Sequence, residues 1–246
     1  MSAVEVVRVV VEERRRQSLW HAIADEAGMP GQHGWAQQVC RLCVSELAGV
    51  DAAALTLRAR GRAHDLLGAS DEWAGRLDEQ QYTLGEGPGV QAFEDGSPIL
   101  VDDLSRHEER WPGFADTAHA VGAAAVFAFA LRIGAIRLGT MTFYRRRAGG
   151  LAARAVADAT VLVDLITLAL VEQAEHAERA GVDWIRDTGS YQDVNVATGI
   201  LAARLAISLD EAFLRLRAHA FRLGRPILDL AGDILADRID VDELNE

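Results

Sequence analysis

The 246-residue sequence predicts an α+β fold, and three observations carry that prediction. Ala53, Leu55 and Leu57 alternate along the chain, as a strand with one buried face does. Two apolar runs, 123–131 and 136–144, flank the turn at Ile133-Gly134 and read as an antiparallel hairpin. From Leu151 to about Asp187 there is no proline, and the apolar residues fall at helical spacing. Helices gathered around an antiparallel sheet make α+β rather than a strand–helix alternation.

The elements follow in order. Val39, Cys40, Cys43, Val44 and Leu47 share one face of a helix. The strand through residues 53–57 ends near the turn residue Gly61, and Ile99–Val101 is a short strand after Pro98. After the hairpin comes a long helix with the stripe Val156, Leu162, Val163, Ile166, Leu170 and Val171. Its later part, Glu172–Arg179, is polar with interleaved Ala, so it packs on the sheet first and then serves as a connector able to pair with a second copy. The last segment is all helix. Val194, Ala197 and Leu201 mark one face, and Ser208-Leu209-Asp210-Glu211 is a capping box. Phe213, Leu216, Ala220 and Leu223 then form a stripe. Gly224 reads as the glycine after a helix, and Pro226 as a first-turn proline. Ile227, Leu230, Ile234 and Leu235 face the core from a third helix, giving a three-helix bundle.

Composition narrows the function. All 25 basic residues are Arg, so the chain has no Walker-type lysine, no kinase strand lysine and no lysine for a Schiff base. The longest uncharged apolar stretch, Ala120–Leu131, is too short to span a bilayer, and the order of charges near residue 4 does not suit a signal peptide; the expectation is a cytoplasmic protein with no membrane partner. Two Cys, at 40 and 43, make no disulfide framework. As C-x-x-C they lie mid-helix on the apolar face rather than at a helix start, which reads as core. His107-Glu108-Glu109-Arg110 lacks the second His of a zinc helix, so neither a metal nor a catalytic residue is expected, and no cofactor. The net charge of −12 discourages indiscriminate nucleic-acid binding, yet Arg204–Arg225 holds five Arg against Asp210 and Glu211. After Pro226 there are seven acids and one Arg.

The C-terminal strings are specific. Ala197-Thr198-Gly199-Ile200-Leu201, Ser208-Leu209-Asp210-Glu211-Ala212-Phe213, Leu216-Arg217-Ala218-His219-Ala220-Phe221, Gly224-Arg225-Pro226 and Ala231 resemble the ANTAR domain, a three-helix RNA-binding module of transcription antitermination regulators. Thr198 stands where that family often carries Lys. Upstream, Ala69-Ser70-Asp71, Gln81 through Gly89, Pro98 through Leu104, and Arg110-Trp111-Pro112-Gly113-Phe114 resemble a GAF domain, a sensory fold around an antiparallel sheet. The pair resembles the GAF–ANTAR regulators of actinobacteria. The receiver domain that precedes most ANTAR modules needs a lysine that this chain lacks.

The resemblance implies a GAF-like sensory domain over 1–150, a connector helix and possible dimer coiled coil over 151–188, and an ANTAR domain over 189–246. It implies structured RNA hairpins as partners, bound by a homodimer, and an unknown small molecule as signal. Arg215, His219 and Arg222 fall at i, i+4 and i+7, opposite the apolar face of their helix. With Arg204 and Arg225 they would meet phosphates, while Arg217 and Phe221 would stack on splayed bases. Asp71, Trp73, Glu86, Asp102, Asp103, His107 and Trp111 fall in the loops that line GAF ligand pockets. Gly85-x-Gly87-x-Gly89 reads as a tight turn at the mouth of that pocket, with an anion site as the other reading. The alternative function is a ligand sensor whose helical bundle docks a protein instead of RNA.

Overall fold

The computed structural model describes residues 3–27, 34–58, 64–180 and 191–239. Helix α1 (Ala3–Ala22) runs into a short π-helical turn, followed by α2 (Trp35–Glu46), β1 (Ala52–Arg58) and β2 (His64–Ala69). Then come α3 (Glu72–Leu84), α4 (Pro88–Asp95), β3 (Ile99–Val101), a 3₁₀ turn at Leu104–Arg106, and α5 (Pro112–Ala120). The hairpin is β4 (Ala125–Ile133) and β5 (Ile136–Arg145), and the long helix α6 spans Ala153–Ala180. Helices α7 (Gln192–Leu205), α8 (Leu209–Leu223) and α9 (Ile227–Leu235) close the chain. The connector expected to reach Asp187 is helical through Ala180, and the remainder lies outside the described residues.

The five strands form one antiparallel sheet in the order β2-β1-β5-β4-β3. Because side chains alternate across a strand, the central strands β1, β4 and β5 feed two cores. Leu55, Phe127, Phe129, Leu131, Met141 and Phe143 point to the face covered by α1, α2 and α6. Ala54, Val126 and Tyr144 point to the face covered by α3 and α5, where Trp73, Leu77, Leu104, Trp111 and Phe114 complete a second core. Of the expected stripe on α6, Leu162, Val163, Ile166 and Leu170 are buried against the first core together with Ala159, while Val156 and Val171 at its ends are half-buried. Arg15 ties the outer helices together, donating to Asp158 at 3.2 Å and to Glu46 at 3.1 Å.

The C-terminal bundle has its own core of Val194, Ala197, Leu201, Ala212, Leu216, Ala220, Ile227, Leu230, Ala231 and Ile234. The Ser208 hydroxyl accepts from Glu211 N at 3.1 Å, while the Glu211 carboxylate takes Arg215. Gly224 ends α8 at φ 60, the left-handed conformation that glycine adopts without a Cβ penalty. Pro226 sits one residue earlier than expected, as the N-cap of α9 rather than in its first turn.

Cys40 and Cys43 are buried on α2, and burial pushes the Cys43 thiol up to about 12. Neither thiol should therefore react with a thiol reagent at pH 8 until denaturant is added, when both should react. Labelling of the folded chain would show that α2 is not seated as described.

Candidate nucleic-acid interface

Helix α3 is positioned by both of its ends. The Asp71 side chain accepts from Ala74 N at 2.8 Å at the start, and Gly85 ends the helix at φ 67. Its inner face carries Ala74, Leu77 and Gln81. Gln81 donates from Nε2 to the Tyr144 hydroxyl at 2.8 Å and accepts from Gly89 N at 2.6 Å. A Cβ on Gly87 or Gly89 would come within 2.6 or 3.0 Å of the Gln81 side chain. The Gly85–Gly89 string is thus a turn built around one buried glutamine, and Glu86 within it accepts from Phe114 N at 2.9 Å, capping α5.

The outer face of α3 meets the bundle. Tyr82 stacks on Tyr191 with ring centroids 4.3 Å apart and planes 6° from parallel, and lies 5.4 Å from Phe213. Such a pair is worth about 0.5–1.5 kcal/mol beyond its buried area. Arg217 on α8 donates from Nε to the Thr83 carbonyl at 2.8 Å, with its guanidinium 5.6 Å from the Phe213 ring. Burial pulls the Arg217 pKa below its ordinary value. The guanidinium lies directly over Gly85, where an added Cβ would clash with it. Glu79 takes a backbone hydrogen bond from Leu228 in the first turn of α9, and burial raises its pKa. Two cavities open along this seam. One of 270 Å³ is bounded by Thr83, Leu84, Phe221 and Pro226, and one of 420 Å³ by Leu84, Gly113, Leu214, Arg217 and Phe221.

The expected RNA-contacting residues do not share one surface. Arg217 faces α3. His219 is buried at 8% exposure, where it accepts from Arg222 at 2.7 Å. The expected basic row through His219 is corrected: i+4 from Arg215 falls on the side of α8 that packs inward. Arg204 lies 3.6 Å from Asp237, Arg215 2.7 Å from Glu211, and Arg225 2.7 Å from Asp233. Phe221 is 63% exposed, with Arg222 exposed beside it. Thr198 is buried, its hydroxyl donating to Val194 O at 2.7 Å.

Most of the expected ligand residues have partners within the N-terminal domain, and the Asp102 side chain is exposed. Trp73 is buried, donates to Val121 O at 2.8 Å and carries Arg146 over its ring. Trp111 is buried in the same core as Phe114. Asp103 accepts from Ser105 N at 3.1 Å and from its hydroxyl at 2.6 Å, and these bonds hold its pKa low. Asp102 accepts from Gly149 N through its carbonyl, and His107 tilts against Trp111 at 6.1 Å. Asp71 and Glu86 are the helix caps above. Caps and buried indoles draw on the same residue types as a polar ligand pocket, which is why the sequence pattern alone points to a pocket. The residues it passed over are Glu79, Tyr82, Thr83, Tyr191 and Phe213. For the three on α3, Glu79, Tyr82 and Thr83, the signal was apolar and polar residues on both faces of the helix, which marks a helix covered from two sides.

Residues 190–235 match the family model of the ANTAR domain. The chain carries an ANTAR domain. Among solved structures, the GAF domain of a phosphoenolpyruvate-protein phosphotransferase from Acinetobacter aligns with TM-score 0.50 and 12% identity, over 68% of this chain and 96% of that one. The GAF domain of the corresponding protein from Coxiella burnetii aligns with TM-score 0.48 and 17% identity, over 68% of this chain and 97% of that one. The Acinetobacter likeness is one of fold: the region before the ANTAR domain has a GAF fold. No curated protein matches the chain by sequence. An ANTAR domain is an RNA-binding regulatory module. Among the described residues no helix is long and apolar enough to cross a membrane, and no group of three His, Cys, Asp or Glu is placed to hold a metal ion.

Two outcomes follow from this geometry. Asp71→Ala should cost about 0.5–2 kcal/mol through the lost cap, seen as a fall of a few degrees in Tm. Glu79 has a raised carboxyl pKa in the folded chain, so ionisation weakens folding as pH rises from its ordinary value of 4.5 through the raised one. Glu79→Gln keeps the acceptor for Leu228 and removes that cost. Its Tm should exceed that of the parent at pH 7, and the difference should vanish below pH 4.5; a constant difference would assign the effect elsewhere.

Proposed function

We propose that this protein is a one-component regulator in which residues 1–150 sense a small-molecule signal and residues 189–246 bind structured leader RNA to control transcription termination. The observation that carries the reading is the ANTAR match on a bundle whose exposed rim bears Phe221, Arg222 and Arg225 within a chain of net charge −12. Local positive charge with an exposed aromatic is what recognition of hairpin loops needs, phosphate attraction for affinity and a plane for a splayed base. Residues 151–188 are read as the connector between the two, and the acting species as a cytoplasmic homodimer gripping paired hairpins.

The acidic residues after Pro226 give this reading its selectivity. Asp233 lies 2.7 Å from both Arg225 and Arg238, and its pKa is lowered by them. A phosphate must displace that carboxylate to reach Arg225, so isolated phosphates are poor competitors and a hairpin offering several contacts is a good one. Docking of a protein instead of RNA is favoured by one feature, the exposed apolar residues Leu209, Leu214 and Leu223.

Binding is tested by gel mobility shift with a two-hairpin leader RNA over a range of salt. Affinity should fall with salt. Arg222→Ala with Arg225→Ala should weaken binding to all such RNAs alike and reduce the slope of log affinity against log salt by about 2. Absence of salt-sensitive RNA binding, with a protein recovered instead from cell extract, would replace this reading with the docking one.

A further inference from the structure

We propose that helix α3 occupies, within the same chain, the surface of α8 that receives RNA, with Tyr82 standing in for a stacked base. The proposal rests on the RNA reading above and names how that site is regulated.

Single-stranded loop bases are held by aromatic rings and guanidinium planes, together with donors to their carbonyl edges. On the bundle these groups form one row. Phe213, Arg217 and Phe221 recur every four residues on α8 and so share a face. Tyr191, just before α7, lies beside the first of them, through Tyr82. Helix α3 meets this row with the chemistry of a nucleobase. The Tyr82 ring lies parallel to Tyr191 at 4.3 Å, as a base would, and tilts on Phe213. The Thr83 carbonyl accepts from Arg217 at 2.8 Å, as a base carbonyl would. The row is covered only in its first half. Phe221 is 63% exposed at the far end, and the 420 Å³ cavity lies between it, Arg217 and α5. An incoming loop base therefore has an open place to stack before Tyr82 and Thr83 withdraw. Competition for one surface makes RNA binding and closure of the seam mutually exclusive, and any signal that shifts α3 against the sheet alters RNA affinity through it.

The test uses substitutions on the sensor side, away from every proposed RNA contact, in the full-length protein. Tyr82→Ala removes the ring that imitates a base. Gly85→Asn keeps the left-handed turn, which Asn tolerates better than other side chains, and drives a side chain into the Arg217 guanidinium. Gly96→Asn, at the similarly left-handed end of α4 with φ 64, is the control for strain remote from the seam. Folding of each variant is checked by a cooperative melt. Mobility shift with two-hairpin RNA should show Tyr82→Ala and Gly85→Asn binding about 10-fold more tightly than the parent, within the usual range of coupling between sites, and Gly96→Asn binding as the parent does. In the parent, saturating RNA should also raise hydrogen exchange at residues 79–85. Parent and seam variants binding RNA equally, with exchange of 79–85 unchanged by RNA, would overturn the competition and leave the RNA reading intact. No RNA binding by any of the four proteins would overturn both.

Discussion

Helix α3 is buried from two sides, and the arrangement of the two domains depends on it. Its inner face, through Leu77 and Gln81, closes the core of the GAF-fold domain and fixes the Tyr144 hydroxyl. Its outer face, through Tyr82 and the Thr83 carbonyl, contributes to the bundle and holds Arg217. A helix has little freedom to adjust one face without moving the other, because its side chains radiate from a rigid hydrogen-bonded rod. A change inside the core of the GAF-fold domain that displaced α3 by a fraction of its diameter would reach Tyr191 and Arg217 directly.

Charge is arranged with the same economy. The five Arg between 204 and 225 stand out in an acidic chain, yet three of them, Arg204, Arg215 and Arg225, lie within ion-pairing reach of Asp237, Glu211 and Asp233. Exposed pairs of this kind contribute little to stability, typically below about 1 kcal/mol each. In the RNA reading proposed above, these pairs orient the arginines in advance, and a polyanion gains them only by exchange.

The β4–β5 hairpin, the individual strands other than β2, most of the stripe on α6 and the three C-terminal helices were legible in the sequence because each depends on residues close together in the chain. Ser208, Gly224 and the alternation through Leu55 act locally, so pattern reading reaches them. The candidate site was legible only in part. Asp71, Glu86 and Asp103 were recognisable as polar residues in the expected loops, but a carboxylate that caps a helix and one that holds a ligand look alike along the chain. His219 falls on an exposed row by helical counting alone; its burial follows from where the neighbouring helices pass. Arg217 shows the limit most directly, since its partner is a backbone carbonyl 134 residues away in sequence.

Sequence by itself determined the two domain types, the α+β class and the caps and turns that delimit the C-terminal helices, because periodicity, capping and turn chemistry act over a few residues. Tertiary structure alone decided which arginines are exposed, which loop acids serve as caps, and that one helix of the GAF-fold domain lies against the ANTAR domain. Those outcomes depend on which surfaces meet, and a side chain's exposure, pKa and partner are properties of the opposing surface as much as of the residue itself.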